Sequence, residues 1–569
     1  MAKLTPLAKI LLSGTIIAVT GAVAWNLGLK DALNKGKQPS GTTASSGASS
    51  GGSSGAASGA TPAAPPKPEP PKPRSGGPLG SKENPLRVSI VSFHGYAPAL
   101  VANGKSLTTQ PGSIYAQKGV EVSFVIQDDI PTLTTIFTAK TAECAWRTSD
   151  FWAQEQPNLR NSGHDGRAVV IVDNTRGADA VIAKDPSIQR VEDLAGKRVA
   201  LLQFTPSHGM VTDAIENSSL TARKKQTVQM VYINAEEGTA GVRAAFESGS
   251  VDAAALWDPD LSLAIKKVPG AHVVYSTKTA TDLIYDVMVC DQRALATPDG
   301  EAAIGKFVDG WLDGVKAAEA NPDDAVDALV KTEEFFQLLV KDHGEAFVKE
   351  LFSNLDWTGL EDNVRILGLA GGTNHYERVY KRFDQVYRAA GALANPNSPV
   401  INPPDSFEYK FVKSLLSSAP AARTEAAKPQ FTFSETEREK VAQKAATLTK
   451  PVAVTFKSGS AELTKRAQKT IDDDMVPLIE NNGSAYFEVS GNTDSVGSKE
   501  TNLKLSQQRA VAVVSYLTGE WEFPKQRFKI VGNGSSKPLC DESNPGAEEL
   551  TLEQCREMNR STRLAILSR

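Results

Sequence analysis

"GNTDSVGSKETNLKLSQQRA", residues 491–510, begins where an apolar alternating run ends, with Thr493-Asp494, and closes on Arg509-Ala510. Upstream, Tyr486, Glu488 and Ser490 alternate with Phe487 and Val489, the period of a half-buried strand. Downstream, Asn502, Leu505, Arg509 and Val513 recur at helical spacing, so Asn502, Ser506 and Arg509 share one stripe. A helix folded back over the strand end brings Asp494 and Arg509 to one small pocket. Such a pocket suits a zwitterion, with an ammonium on the carboxylate and a carboxylate on the guanidinium fork. The same spacing also fits a surface ion pair of little worth.

The chain has 569 residues, enough for several domains, and a net charge of -4. No domain carries a strongly basic stripe, so a nucleic-acid partner is not expected. At the amino end, Lys3 and Lys9 precede an uncharged run, ILLSGTIIAVTGAVAWNLGL, from Ile10 to Leu29. About twenty such residues make a spanning helix, and Ala22-Val23-Ala24 also fits a cleaved export signal. The apolar run continues past that site through Trp25 and Leu27, which favours a retained inner-membrane anchor after a short cytoplasmic segment, residues 1–9. Residues 30–84 are Gly/Ser-rich and then Pro-rich, the composition of a disordered tether.

From 85 to 417 strand-like runs (LRVSIVSF, VEVSFVI, AVVIV) alternate with helical patterns, which predicts a parallel α/β architecture. A connector spans 418–450, with one helical pattern in SETEREKVAQKAATL. The block 451–569 reads strand (VAVTF), helix (TKRAQKTIDDDMVPLIE), strand, helix, strand and closing strand, an α+β sandwich. Cys540 and Cys555 bracket a Pro/Glu-rich loop and are expected to pair, as suits an exported chain. Cys144 and Cys290 each close a strand-like run and are either paired or simply buried.

The C-terminal block, with F-x-S-G-S-A-x-L (Phe456 to Leu463), G-x-T-D-x-x-G-x-x-x-x-N-x-x-L-S-x-x-R-A (Gly491 to Ala510), G-x-G-x-x-x-P (Gly532 to Pro538) and Asn559-Arg560, resembles the OmpA-like peptidoglycan-binding domain. That resemblance implies that Asp494 and Arg509 hold the diaminopimelate of the peptide stem, with Asn492, Thr493, Asn502 and Arg560 lining or supporting the pocket. The family usually reads N-R-R-V at the end. Here the sequence is Asn559-Arg560-Ser561-Thr562-Arg563, so either Arg560 or Arg563 takes the second arginine's place.

The central block looks like the type 2 periplasmic solute-binding proteins of the nitrate/taurine/thiamine-precursor class. The matching stretches are GYAPALVANG, DNTRGADAVIAKDPSIQRVEDLAGKRVALL and FESGSVDAAALWDPD. The resemblance implies a bilobed periplasmic-binding-protein fold with the solute between the lobes, held by loops at strand ends. It picks out Ser92, His94 and Tyr96 after the first strand; Thr148, Ser149 and Asp150; Thr205, Ser207 and His208 at a helix start; and Trp257 with Asp258. Asp150, Asp258 and Asp286 make this cleft acidic, with Arg147 and Arg176 as the nearby bases. A small organic ligand with an amine, hydroxyls or a ring therefore fits better than a bare oxyanion.

No Gly-x-Ser-x-Gly elbow, His-Glu-x-x-His pair or Walker loop is present, and the six histidines are scattered, so neither an enzyme, a cofactor nor a metal site is expected. The combined expectation is a bilobed α/β domain plus an OmpA-like sandwich behind a transmembrane helix. Such a protein is single-pass in the inner membrane, faces the periplasm and is peptidoglycan-associated. It captures a small polar solute for an ABC permease or a sensor. The alternative is a scaffold linking membrane to wall, its solute-binding fold degenerate.

Overall fold

The alternating apolar runs of the central block become two mixed sheets because each strand is bounded by a turn and followed by a helix that covers one face. The computed structural model describes residues 76–426, 434–454, 456–457 and 459–567. The expected membrane segment and the tether up to residue 75 lie outside the described residues. Among the described residues, no helix is long and apolar enough to cross a membrane.

The first sheet runs β11-β4-β10-β3-β1-β2, with β1 Leu86–Ile90, β2 Val122–Ile126, β3 Cys144–Thr148, β4 Gly166–Thr175, β10 Tyr285–Asp291 and β11 Leu355–Trp357. Strands β1, β2 and β3 pair in parallel, whereas β10 is antiparallel to both β3 and β4. The second sheet runs β7-β6-β8-β5-β9, with β5 Asp179–Ala183, β6 Arg198–Leu202, β7 Gln229–Ile233, β8 Ala253–Trp257 and β9 His272–Ser276. Each sheet organises one lobe.

The chain passes between the lobes twice in this core, from β4 to β5 through residues 176–178 and from β9 back to β10 through residues 277–284. The Thr277 hydroxyl oxygen accepts from Gly177 N at 2.9 Å, and Thr277 N donates to the Asp179 carbonyl at 3.0 Å, so the two crossings are tied together. A later helix, His375–Ala389, leans on both lobes. Its Tyr387 hydroxyl lies 2.8 Å from the Thr205 carbonyl in one lobe and 3.2 Å from Asp150 Oδ2 in the other.

Cys144 stands opposite Cys290 in the β3–β10 register and the two form a disulfide. Arg147, fully buried on β3, is held by Glu155 and by the Leu133 carbonyl at 2.8 Å. An ion pair this deep is costly to break, because either partner left alone is an uncompensated charge.

The C-terminal sheet runs β12-β15-β13-β14, with β12 Leu448–Val452, β13 Tyr486–Asn492, β14 Phe528–Gly534 and β15 Thr562–Leu567. The strand expected at VAVTF is displaced. β12 begins at Leu448 and admits Pro451 because it lies at the sheet edge, where one missing N–H costs no ladder bond. Phe456 instead makes a short bridge to Leu463. The expected helix over residues 464–480 is two, Lys465–Asp474 and Val476–Asn481, divided just before Pro477.

Helix Lys499–Gly519, capped by the Ser498 hydroxyl, lies across β13 and β14 at very close range. A Cβ on Gly491 would stand 2.0 Å from the Ser506 carbonyl, and one on Gly532 2.7 Å from Gln507 N. The two glycines of the sequence motif are therefore what lets the helix reach the strand ends.

The C-terminal block rests on the second crossing. Asp282 N donates to the Asn481 carbonyl at 3.0 Å, and the Ser484 hydroxyl donates to the Lys278 carbonyl at 3.0 Å. It also reaches both flanks: Arg378 pairs with Glu480 at 2.8 Å, and Lys224 of the second lobe pairs with Glu548 at 2.6 Å.

Candidate functional site

A cavity lies between the lobes, lined by Val91, Phe93, Trp146 and Thr148 from the ends of β1 and β3, Thr175 and Asp179 from the first crossing, and Pro206, Trp257 and Asp286. The lining gathers at strand ends, as open α/β sheets dictate. At about 20 Å³ the cavity has room for about one water.

Strand alternation sorts β3 cleanly. Trp146 and Thr148 face the cavity, while Arg147 points to the opposite side, against Phe137 and Phe151. Arg176, the other expected base, pairs with Asp356 at 2.7 Å. None of the nine lining residues is cationic.

The acids are numerous. Asp286 accepts from the Tyr96 hydroxyl at 2.8 Å and from Trp146 Nε1 at 3.1 Å. Burial outweighs these donors and pushes its carboxyl up to about 7. Asp173 stands opposite Asp286 in the β4–β10 register, fully buried, with neither carboxylate oxygen hydrogen-bonded. Burial first, and then Asp286, raises Asp173 well above the carboxylate range. Burial and the Asp286 charge do the same to Asp179. Asp150 and Asp258 are each raised to about 6 by burial.

Of the residues named from the sequence, Thr148, Trp257 and Asp286 line the cavity. Several others stand one layer behind it: Tyr96 donates to Asp286, Ser149 Oγ accepts from Tyr285 N, and Asp258 is held by Ser262 N and Asn354 Nδ2. Thr205 donates to the Leu202 carbonyl at the start of the helix, and Ser207 is buried in its first turn. Ser92 bonds Asp128 through both its N–H and its hydroxyl.

The two histidines turn away from a ligand role. His94 is fully buried against Phe93 and Phe352, and burial drops it to about 3. His208 Nδ1 accepts from Phe204 N at 3.2 Å, which braces a residue at φ 57, and burial drops it to about 4. Both are neutral rings in the fold's interior.

The C-terminal pocket is built differently. Asp494 Oδ2 meets Arg560 Nη1 at 2.7 Å, and Asp494 Oδ1 accepts from Val496 N at 3.1 Å. Arg509 donates to the Ser460 carbonyl at 3.2 Å and lies over the Phe456 ring at 4.9 Å. Burial and then the neighbouring Arg560 lower its pKa, and Arg560 in turn is shared between Asp494 and Glu553, whose Oε1 lies 2.6 Å from Arg560 Nη2.

Asn502 Nδ2 supports the Asp494 loop from the Val496 carbonyl, and Thr493 Oγ1 donates to the Asp494 carbonyl. Asn492 ties β13 to Ser561 and accepts from Asn533. Between the two arginines left open by the sequence, Arg560 meets Asp494. Arg563 is buried, its Nε donating to Ser561 Oγ. The Cys540–Cys555 disulfide closes the loop beside Asn559, whose side chain bonds Leu539 N and the Cys540 carbonyl.

Comparison with known proteins gives two family matches: OmpA family over residues 455–551, and NMT1/THI5 like over residues 114–325. The chain is 35% identical over 103 residues to the "Putative aliphatic sulfonates-binding protein" of Escherichia coli (strain K12), a match covering 18% of this chain and 29% of that relative's length. Among solved structures, the periplasmic aliphatic sulphonate binding protein of Escherichia coli is similar at 13% identity and a TM-score of 0.44, over 58% of this chain and 98% of that one. The alkanesulfonate-binding protein of Xanthomonas axonopodis pv. citri, bound to MOPS, is similar at 16% identity and a TM-score of 0.41, over 56% of this chain and 96% of that one. The chain thus matches two family models in series, NMT1/THI5 like in its central block and OmpA family in its C-terminal block.

Proposed function

We propose that this protein captures a small solute between the two lobes and is held to peptidoglycan by its C-terminal domain. The observation that carries the first half is the cavity at the strand ends, walled by aromatic rings and crossed by two tied segments about which lobes can part. The second half rests on Asp494, Arg509 and Arg560, whose charges match the two ends of a zwitterionic diaminopimelate.

In this reading residues 10–29 anchor the chain in the inner membrane, and the tether lets the folded part range between membrane and wall. Two-point attachment raises the receptor's effective concentration near an ABC-type permease or a sensor. Because the C-terminal block grips the second crossing, lobe movement is felt at the wall-binding domain.

The scaffold reading has one observation in its favour, a cavity of about 20 Å³. A thermal-shift screen on the full chain with amino acids, polyamines, sulfonates, pyrimidines and oxyanions decides between the two. A ligand that binds only the folded state raises the melting temperature by mass action. A flat response to every class supports the scaffold, and failure to sediment with purified sacculi removes the wall attachment.

A further inference from the structure

The charge of the cleft is at odds with an anionic solute. A buried sulfonate or carboxylate needs a cation or a set of aimed donors to offset its desolvation, yet no lysine, arginine or histidine lines the cavity. The alternation of β3 turns Arg147 to the far face, where Glu155 and two backbone carbonyls occupy its guanidinium. What does face the cavity is Asp179 and Asp286, with Asp173 opposite Asp286 across the β4–β10 ladder, fully buried and without a hydrogen-bond partner on either oxygen.

The walls add a second, independent signal. Trp146, Trp257 and Phe93 line the same space, and indole and phenyl faces attract cations, with Trp the strongest. No group of three or more acidic, histidine or cysteine side chains among the described residues converges tightly enough to hold a metal ion. A larger, softer cation matches both the spacing of the acids and the rings.

Resting on the solute-binding reading above, we propose that the solute is an organic cation, an ammonium-type group on an apolar body, seated against Trp146, Trp257 and Phe93 and countered by Asp179 and Asp286. It enters when the lobes part about the two crossings, and the lobes close over it less tightly than here, where the cavity has room for about one water. Burial raises both carboxyls: Asp179 also faces Asp286, Asp150 and Asp258, and Asp286, pushed up to about 7, also faces Asp150 and the Tyr96 hydroxyl, so Asp286 holds its proton below about pH 7. The Arg147 charge acts on the Tyr96 hydroxyl, but Arg147 itself does not line the cavity. Binding a cation ionises the carboxylates that counter it and releases their protons.

The test is calorimetric titration of the full chain with choline, benzyltrimethylammonium and putrescine, and in parallel with methanesulfonate and MOPS, at pH 6 and pH 8. The expected result is binding of at least one cation and of neither sulfonate, tightening towards pH 8 by up to about tenfold per pH unit for each proton displaced. Asp179→Asn and, separately, Asp286→Asn should weaken that cation by about 30-fold or more, the usual effect of removing one partner of a buried charge pair. Trp257→Ala, which removes an aromatic wall and no charge, should weaken it too while preserving the circular dichroism spectrum.

Sulfonate binding without cation binding overturns the inference and leaves solute capture standing. Cation binding that all three variants retain places the site elsewhere and also overturns it. Silence from every ligand here and in the broader thermal screen brings down both the inference and the solute-binding reading.

Discussion

The two pockets of this chain handle charge in opposite ways. Around Asp494 the ion pair is placed at a rim, with the Arg560 side chain 35% exposed, so water shares the work of solvating it. Between the lobes, Asp173, Asp179 and Asp286 are withdrawn from water with no cation to meet them. A rim pair costs little to keep open for a ligand, whereas the cleft stores a desolvation penalty that an incoming partner can relieve. Stability and binding should therefore separate at the first pocket and entangle at the second.

The largest expected effect on stability comes from the lobes. Arg147→Met leaves Glu155 buried without its partner and should cost about 3–5 kcal/mol in denaturant unfolding, with Arg147→Met/Glu155→Leu returning most of it. A small loss in the single variant would show that water reaches Glu155.

Next is the loop beside the wall pocket. Removing the Cys540–Cys555 link, which closes a loop of sequence separation 15, should lower stability by about 3 kcal/mol. Cys540→Ser/Cys555→Ser with an unchanged midpoint would mean the reduced loop holds itself.

Smaller still is the stability change for Asp494→Ala, about 1 kcal/mol or less, although sedimentation with sacculi should be lost in that variant and in Arg509→Ala. Retained sedimentation in both would remove these residues from the site.

A separate signal is in pH. The folded-state pKa of Asp286, about 7, exceeds its unfolded value near 3.9, so its burial is tolerated below pH 4 and costs increasing stability as pH rises towards 7. His94 and His208 act the other way, with folded values of about 3 and 4 below the ordinary 6.5. They withdraw stability as pH falls from 6.5 towards 4. Asp286→Asn should gain on the wild type between pH 4 and 7. Parallel pH profiles for the two proteins would contradict the buried-acid account.

How far each pocket could be read from sequence follows from the same difference. Asp494 and Arg509 sit on one strand, one turn and one helix close in sequence, so period-two and helical spacing place them near each other, while their pocket roles come from the family resemblance. What spacing missed was that Arg560, on β15's approach, is the direct partner of Asp494. The cleft draws on β1, β3, β8, β10 and the strand ends that flank the first crossing, and its inward face depends on register. Choosing loops after strands found Thr148 and Trp257 but passed over Thr175 and Asp179, which begin and end a crossing that local patterns cannot orient. Alternation along ECAWRT held a usable signal, since Trp146 and Thr148 share a face that Arg147 does not. The two histidines are picked out from sequence by their place in loops that follow strands. Apolar neighbours, Phe93 beside His94 and Phe204 near His208, were the sign that they pack instead.

Native mass spectrometry of the full chain, recovered from the periplasm without refolding, tests the central claim most directly when wild type, Asp494→Ala and Asp286→Asn are compared. The account predicts a small-molecule adduct on the wild type and on Asp494→Ala, and a bare mass for Asp286→Asn. A bare mass for all three, with no adduct on adding any solute of the screen, would contradict solute capture and leave a wall-bound scaffold.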